Sequence, residues 1–221
     1  MTVLLNESGE KAYKVMVAVP CGEMVHADFA YDMSRLVGYS QLVRPEMTML
    51  LYHVKGTYLP RARARLVQEA LDQSCSHILW LDSDMRFPKD TLLRLLAHEK
   101  PVVAANYSTR QPPYLPTAYD LSNQPIFDDA GLTEARHCGM GVMLVDCDVF
   151  REMSKPWFAL GYAKAIDDYS GEDTYFCERV RQTGAKVLID GPLSEQVSHC
   201  GGFTFDMSHT RMTREAATHG T

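Results

Sequence analysis

The sequence predicts an α/β fold with a mainly parallel central sheet flanked by helices, and three observations carry that expectation. Short, largely apolar runs recur at 15–19, 47–53, 77–81, 102–105, 142–145 and 186–189, each of strand length. Several of them are separated by stretches whose apolar residues repeat at helical spacing. Strand and helix therefore alternate at the pace of βα units rather than of hairpins.

The run at 15–19 is β-branched and is stopped by Pro20 and Gly22, so its carboxyl end opens a crevice. Residues 24–37 carry Ala27, Ala30, Met33 and Val37 near one helical face, and Gly38 is the expected stop. Residues 47–53 return to strand character. The next helix, 61–74, follows Pro60 and places Ala62, Leu66, Ala70 and Leu71 in a stripe that packs on a sheet. A buried strand at 77–81 ends in Asp82, Ser83 and Asp84, and Pro88 opens a helix through Leu92, Leu93, Leu95 and Leu96.

Residues 102–105 supply one more strand. From 108 to 131 the composition changes, with Pro112, Pro113, Pro116 and Pro125 among polar residues, which predicts an irregular excursion suited to shaping an acceptor pocket. Strands at 142–145 and 186–189 enclose a helix at 171–183 that Gly184 closes. Residues 203–221 are polar and aperiodic. The expected organisation is one domain over 1–202 and a flexible tail or lid over 203–221, with no internal repeat.

Bulk properties narrow the function. A chain of 221 residues with 46% apolar residues can bury one substantial core. A net charge of −6 with both signs mixed argues against a general DNA binder, although Arg61, Arg63 and Arg65 form a local basic cluster. No stretch approaches the roughly 18 apolar residues of a membrane span, and residues 1–14 lack the order of a signal peptide, so a cytoplasmic location is expected. The six cysteines form no Cys-x-x-Cys pair and read as reduced thiols.

Asp82 and Asp84 stand two apart where a buried strand leaves the sheet, and an extended backbone would aim both carboxylates at one point. Two such charges in a crevice call for a cation or a shared proton, and oxygen ligands suit Mg²⁺ or Mn²⁺, with a diphosphate completing the shell. The carboxyl end of a parallel strand is where open α/β sheets bind ligands. Taken alone, Asp-x-Asp serves equally well as a turn that bonds local backbone.

The run Ile78-Leu79-Trp80-Leu81-Asp82-Ser83-Asp84-Met85-Arg86-Phe87-Pro88 closely resembles the metal-binding segment of family 2-like GT-A glycosyltransferases of small bacterial or bacteriophage type. Ala62-Arg63-Ala64-Arg65-Leu66-Val67 is similar to the Ala-Arg-Asn-x-Leu-Val helix start of that family, with Ala64 in place of the usual Asn, so Arg63 alone carries over. Gly139-Met140-Gly141-Val142-Met143-Leu144-Val145 resembles its Gly-x-Gly-x-x-Leu strand. Gly171-Glu172-Asp173 resembles its Glu-Asp helix start, and Val197-Ser198-His199-Cys200-Gly201 its terminal His-x-Gly. These segments follow the family's order over most of the chain.

The resemblance implies a GT-A (Rossmann-like) fold and transfer of a sugar from a nucleoside-diphosphate donor, a UDP-sugar above all, with Mn²⁺ or Mg²⁺. It implies metal ligands at Asp82, Asp84 and His199, and a donor site that also uses Pro20, Gly22, Arg63 and Ser83. Arg63 would meet the diphosphate, which guanidinium groups bind in bidentate fashion. Asp173, with Glu172 beside it, would be the catalytic carboxylate, taking the acceptor's proton and giving inversion. A structural alternative is a capping box from Ser170 to Asp173. His199 has a structural reading too, and as an imidazole ligand it favours Mn²⁺. Asn106, Tyr107 and Arg110 follow the strand beyond the metal segment and are expected near donor or acceptor. Trp157 and Phe158 are candidates for a stacking surface.

The resemblance extends to small stand-alone transferases of bacterial surface-glycan gene sets and of bacteriophages, some of which modify hydroxymethylated bases of viral DNA. Chain size, the lack of a membrane anchor and the arginine cluster make such bases one candidate acceptor, in a host cytoplasm, with a glycan or small molecule as the other class. Two rivals stand beside the transferase. A nucleotidyltransferase also uses a metal on an α/β sheet, but its glycine-rich phosphate loop is not Pro20-Cys21-Gly22-Glu23. The second is a module that binds nucleotide sugar or glycan without turnover. The sequence leaves open the donor sugar, the acceptor, inversion versus retention, the oligomeric state and the role of the C-terminal tail.

Overall fold

Alternation along the first strand sets the architecture. In β1 (Lys14–Cys21), Val15, Val17 and Val19 face one core while Met16 and Ala18 face another, so the strand is buried on both sides. The computed structural model describes residues 12–127, 130–164, 167–201 and 204–219. In it β2 (Thr48–Lys55), β1, β3 (His77–Leu81), β7 (Val142–Asp146), β5 (Val102–Ala104), β10 (Val187–Asp190) and β6 (Leu132–Ala135) make one seven-stranded sheet in that order. β2, β1, β3, β5 and β10 run one way; β7 and β6 run against them.

Helices α2 (Leu59–Asp72), α4 (Cys147–Glu152) and α5 (Glu172–Gln182) cover one face through residues such as Leu66, Phe150 and Phe176. Helices α1 (Ala27–Val43), α3 (Thr91–Ala97) and α6 (Gly191–Ser194) cover the other through Phe29, Leu36, Leu92, Leu95 and Leu193. Each fully buried aliphatic side chain in these layers contributes about 1.5–3 kcal/mol relative to exposure. A small second sheet, in the order β12 (Thr204–Phe205), β11 (Ser198–Cys200), β4 (Met85–Arg86), stands beside the carboxyl end of β3. A hairpin of β8 (Gly161–Ala163) and β9 (Asp168–Ser170) leads into α5.

Several expectations change in detail. Gly38 does not stop α1, which runs on to Val43. A glycine costs a helix interior only about 1 kcal/mol, and buried Leu36 and Ser40 hold the helix across it until the residue before Pro45, where helical backbone is disfavoured. The segment expected to be a flexible tail or lid forms β12 and α7 (Met207–His219) over its described part; residues 203, 220 and 221 lie outside the described residues. Phe205, Met207 and Thr210 are buried, and Phe205 and His209 pack on Tyr114. The apolar signal there was too sparse to read as a helix.

Trp157 and Phe158 are buried in an aromatic cluster with Phe150, Phe176 and Trp80, which removes them as a stacking surface. All six cysteines are unpaired and buried, as expected. Among the described residues, no helix is long and apolar enough to cross a membrane.

Candidate functional site

The site is assembled where β3 ends. Asp82 to Met85 form a tight turn, the Met85 N–H donating to the Asp82 carbonyl at 3.1 Å, rather than the extended backbone expected from the spacing. Three neighbours pin this turn. Asp82 N–H donates to Gly141 O, His26 N–H to Ser83 O and Cys200 N–H to Asp84 O, at 3.0, 3.2 and 2.7 Å. The pairing of β11 with β4 sets His199 opposite Met85.

The two carboxylates then face different cations. Asp82 receives Arg63 Nη2 on both oxygens, at 3.0 and 3.3 Å. Arg63 Nε donates to Glu172 Oε1 at 3.1 Å, and the guanidinium lies 5.5 Å from the Trp80 ring centroid. With its side chain 2% exposed, Arg63 is a buried clamp that ties α2 to the β3 turn and to the start of α5. Its Nη1, and the neighbouring Trp80 Nε1, are buried without a hydrogen-bond partner among the described residues. Burial works against the Arg63 charge, but Asp82 and Glu172 outweigh it and push its pKa up. Burial pushes the Asp82 carboxyl up; Arg63 opposes this and the nearby Asp84 charge adds to it.

Asp84 is held from the other side. Its Oδ2 lies 2.8 Å from Arg110 Nη1 and 3.3 Å from His199 Nε2. Burial raises its pKa, but the His199 hydrogen bond and the His199 and Arg110 charges outweigh that and leave it below the usual carboxylate range. His199 Nδ1 is 3.2 Å from the Ser108 carbonyl, an atom that can only accept, so Nδ1 carries the hydrogen. Nε2 therefore meets the carboxylate either as an N–H or as a lone pair. A lone pair beside a carboxylate is unfavourable without a cation between them, and an imidazole with Nδ1–H on a backbone carbonyl is oriented as metal-binding histidines are.

His199 and Arg110, the two partners of Asp84 Oδ2, border a cavity of about 520 Å³ together with Tyr107, Asp173, Gly139 and Phe205. Asp173 occupies the first turn of α5, whose N-cap is Gly171 with no side-chain cap bond. The Ser170 to Asp173 capping box is thus not formed; Asp173 Oδ1 accepts the Thr174 N–H at 2.7 Å instead. Burial pushes the Asp173 carboxyl up, Thr174 opposes it, and Glu172 adds to it. Glu172, one residue earlier, points away to Arg63.

The glycines at 139 and 141 have a steric reason. A Cβ at either position would come within 2.3 and 2.7 Å of the Tyr107 hydroxyl, which accepts the Gly141 N–H at 3.0 Å. Tyr107 is buried and meets the His199 ring edge-on at 5.4 Å, so it backs the cavity wall. At the carboxyl ends of β1 and β2, Gly22 borders a separate cavity of about 300 Å³ with Cys21, Phe29, Met33, Tyr52 and Lys55. Pro20 pairs with Val54 in the β1–β2 ladder and is not among the residues around that cavity.

Among the sequence candidates, the structure joins Asp84 to His199, and Asp82 to Arg63 and Glu172, and it sets Asp173 on the cavity that His199 shares. Arg110 contacts Asp84 directly, although the sequence offered only its place after a strand. Phe205 and Thr117 on the same cavity carried no sequence signal, because segments far apart in the chain bring them there.

No curated protein compared with the chain matches it in sequence. A family model described as Anp1 matches residues 41–133. Among solved structures, A197 from STIV superposes with a TM-score of 0.61 at 14% identity, over 89% of this chain and 91% of that one. GalNAc-T7, solved with UDP, GalNAc and Mn²⁺, superposes with a TM-score of 0.52 at 10% identity, over 86% of this chain and 43% of that one. Sheet order, flanking helices and these superpositions agree: the chain has the GT-A-like fold of glycosyltransferases.

Proposed function

We propose that the protein is a metal-dependent glycosyltransferase that moves a sugar from a nucleoside-diphosphate sugar, UDP-linked by preference, to a hydroxyl acceptor. One observation carries the reading: Asp84 Oδ2 faces His199 Nε2, whose ring has its Nδ1 hydrogen committed to Ser108, and His199 shares a cavity with Asp173, whose carboxyl burial pushes up. Among the described residues no three His, Cys, Asp or Glu side chains converge to enclose an ion by themselves. The donor set fits a cation that takes its remaining ligands from a diphosphate, and an imidazole in that set favours Mn²⁺. The presence of UDP and Mn²⁺ in GalNAc-T7 supports the same choice. When bound, the ion neutralises charge on the departing diphosphate.

The chain's own residues do the rest. Asp84 and His199 Nε2 hold the ion, and Asp82, clamped by Arg63, keeps the turn in place and adds its field. Asp173 accepts the proton of the acceptor hydroxyl as that oxygen attacks the anomeric carbon from the face opposite the leaving group. This displacement inverts the anomeric centre. Gly139 lets the acceptor approach where a side chain would collide with Tyr107. The nucleoside takes the cavity that Gly22 borders, with Pro20 two residues earlier on β1 and Ser83 accepting the His26 N–H through its carbonyl.

For the acceptor we propose a hydroxymethylated base of DNA. Arg61 and Arg65, four residues apart and so neighbours on one helix face, are exposed in the first turns of α2, the helix whose Arg63 reaches Asp82, and offer a basic patch to a phosphate backbone. A base would leave the stack to reach the cavity, and salt would weaken binding. The test is incubation with Mn²⁺ and a panel of nucleotide sugars, with and without a duplex containing hydroxymethylcytosine. Hexose or pentose mass added to the duplex supports the whole reading, and hydrolysis of one donor without added mass supports the transferase with another acceptor, such as a glycan. Release of pyrophosphate instead of nucleoside diphosphate would point to a nucleotidyltransferase, and donor binding with no turnover on any acceptor to a binding module.

A further inference from the structure

Arg110 and the proposed ion want the same carboxylate oxygen. Arg110 Nη1 lies 2.8 Å from Asp84 Oδ2, the atom that also faces His199 Nε2 at 3.3 Å. A divalent ion bonded to that oxygen would sit a few ångströms from a guanidinium, and two positive charges at that range repel strongly. The arginine must therefore give way. It is built to do so, because its side chain is 43% exposed and its other hydrogen bond among the described residues is a 3.3 Å one from the same Nη1 to the Cys200 carbonyl. Arg63, by contrast, is 2% exposed and locked between two carboxylates.

Once displaced, Arg110 stays on the wall of the 520 Å³ cavity, where a diphosphate held by the ion offers it a new anionic partner. We propose that Arg110 exchanges partners on loading: it holds Asp84 in the free protein and turns to the donor's diphosphate when the ion takes its place. The inference rests on the metal reading above and adds a thermodynamic consequence. Ion alone must compete with Arg110, whereas ion with diphosphate is helped by it, so the two ligands bind cooperatively through this side chain. Linkage requires the effect to be reciprocal.

The test uses the full chain and Mn²⁺ titrations followed by electron paramagnetic resonance of the free ion. Titrations are run alone and with saturating UDP, with GDP, CDP, ADP and dTDP in parallel. Wild type is expected to bind Mn²⁺ weakly alone and more tightly with the diphosphate it accepts. A half-exposed ion pair is worth a modest factor, so Arg110→Gln should bind Mn²⁺ alone about two- to five-fold more tightly. The same variant should lose most of the gain that nucleotide brings, and Arg110→Lys should retain part of both effects. Unchanged or weaker binding of Mn²⁺ alone by Arg110→Gln, or an undiminished nucleotide gain, overturns the exchange. If Mn²⁺ binding requires Asp84, shown by its loss in Asp84→Asn, and Arg110 variants leave it untouched, this inference alone fails. If wild type binds no Mn²⁺ with any nucleotide, the metal reading fails with it.

Discussion

Replacing Arg63 by Met removes one charge from the most buried ion-paired group in the site while keeping a side chain of similar length. Two carboxylates lose their partner: Glu172, whose side chain is 11% exposed, and Asp82, 27% exposed. Breaking a buried pair by deleting one member costs about 3–5 kcal/mol, because the remaining charge is stranded. Water can reach Asp82 in part, and the substitution also removes the unpartnered Nη1, so the lower end, about 3 kcal/mol, is expected. For a chain of this size that corresponds to a fall in Tm of roughly 6–12 °C.

The pH dependence fixes the cause. A carboxyl whose pKa is raised by folding takes up a proton on folding. Its penalty is therefore largest above the raised value and disappears as pH falls toward the unfolded value of about 4. The gap between variant and wild type should thus be widest near pH 8 and narrow by pH 5. Thermal and urea unfolding of both proteins at the two pH values provide the measurement. A variant within about 0.5 kcal/mol of wild type at pH 8, or a gap that widens on acidification, would refute the clamp.

Asp173→Asn should lower kcat about 10²–10⁴-fold with donor binding and Tm preserved, as a steady-state comparison with a fixed donor shows. Because burial holds the Asp173 carboxyl above its ordinary range and a base acts deprotonated, kcat should rise with pH through a value above about 4, and Asp173→Asn should lose that limb. Gly141→Ala brings a methyl group within 2.7 Å of the Tyr107 hydroxyl and should destabilise by about 1–3 kcal/mol in urea unfolding; a neutral result would mean that Tyr107 moves freely.

The layered core was legible because its signal is local. β3 falls on 77–81, as the apolar run predicted, and α5 ends one residue before Thr183 with Gly184 at positive φ. β7 was found as a strand, yet its antiparallel direction depends on partners that periodicity does not reveal. The short strands of the second sheet and helix α7 were missed, since two- and three-residue strands carry too few residues for a pattern. The site shows the same division. Asp82, Asp84, Asp173 and His199 stood out by residue type and by resemblance. What Arg63 does with its hydrogen bonds did not, because nothing in Ala62-Arg63-Ala64 tells whether the guanidinium faces a ligand or a carboxylate 109 residues away. The role of Arg110 depends on the path of a proline-containing loop, which composition alone leaves undetermined.

The central claim is that Asp84 grips the ion that lets a nucleoside diphosphate depart. Its most direct test is the rate of nucleoside diphosphate release from the accepted donor by wild type and Asp84→Ala, each with Mn²⁺ and after its chelation. The account predicts release by wild type with Mn²⁺ only, and a loss of about 10²-fold or more in the variant. Release by Asp84→Ala at the wild-type rate, or by wild type undiminished after chelation, would contradict it.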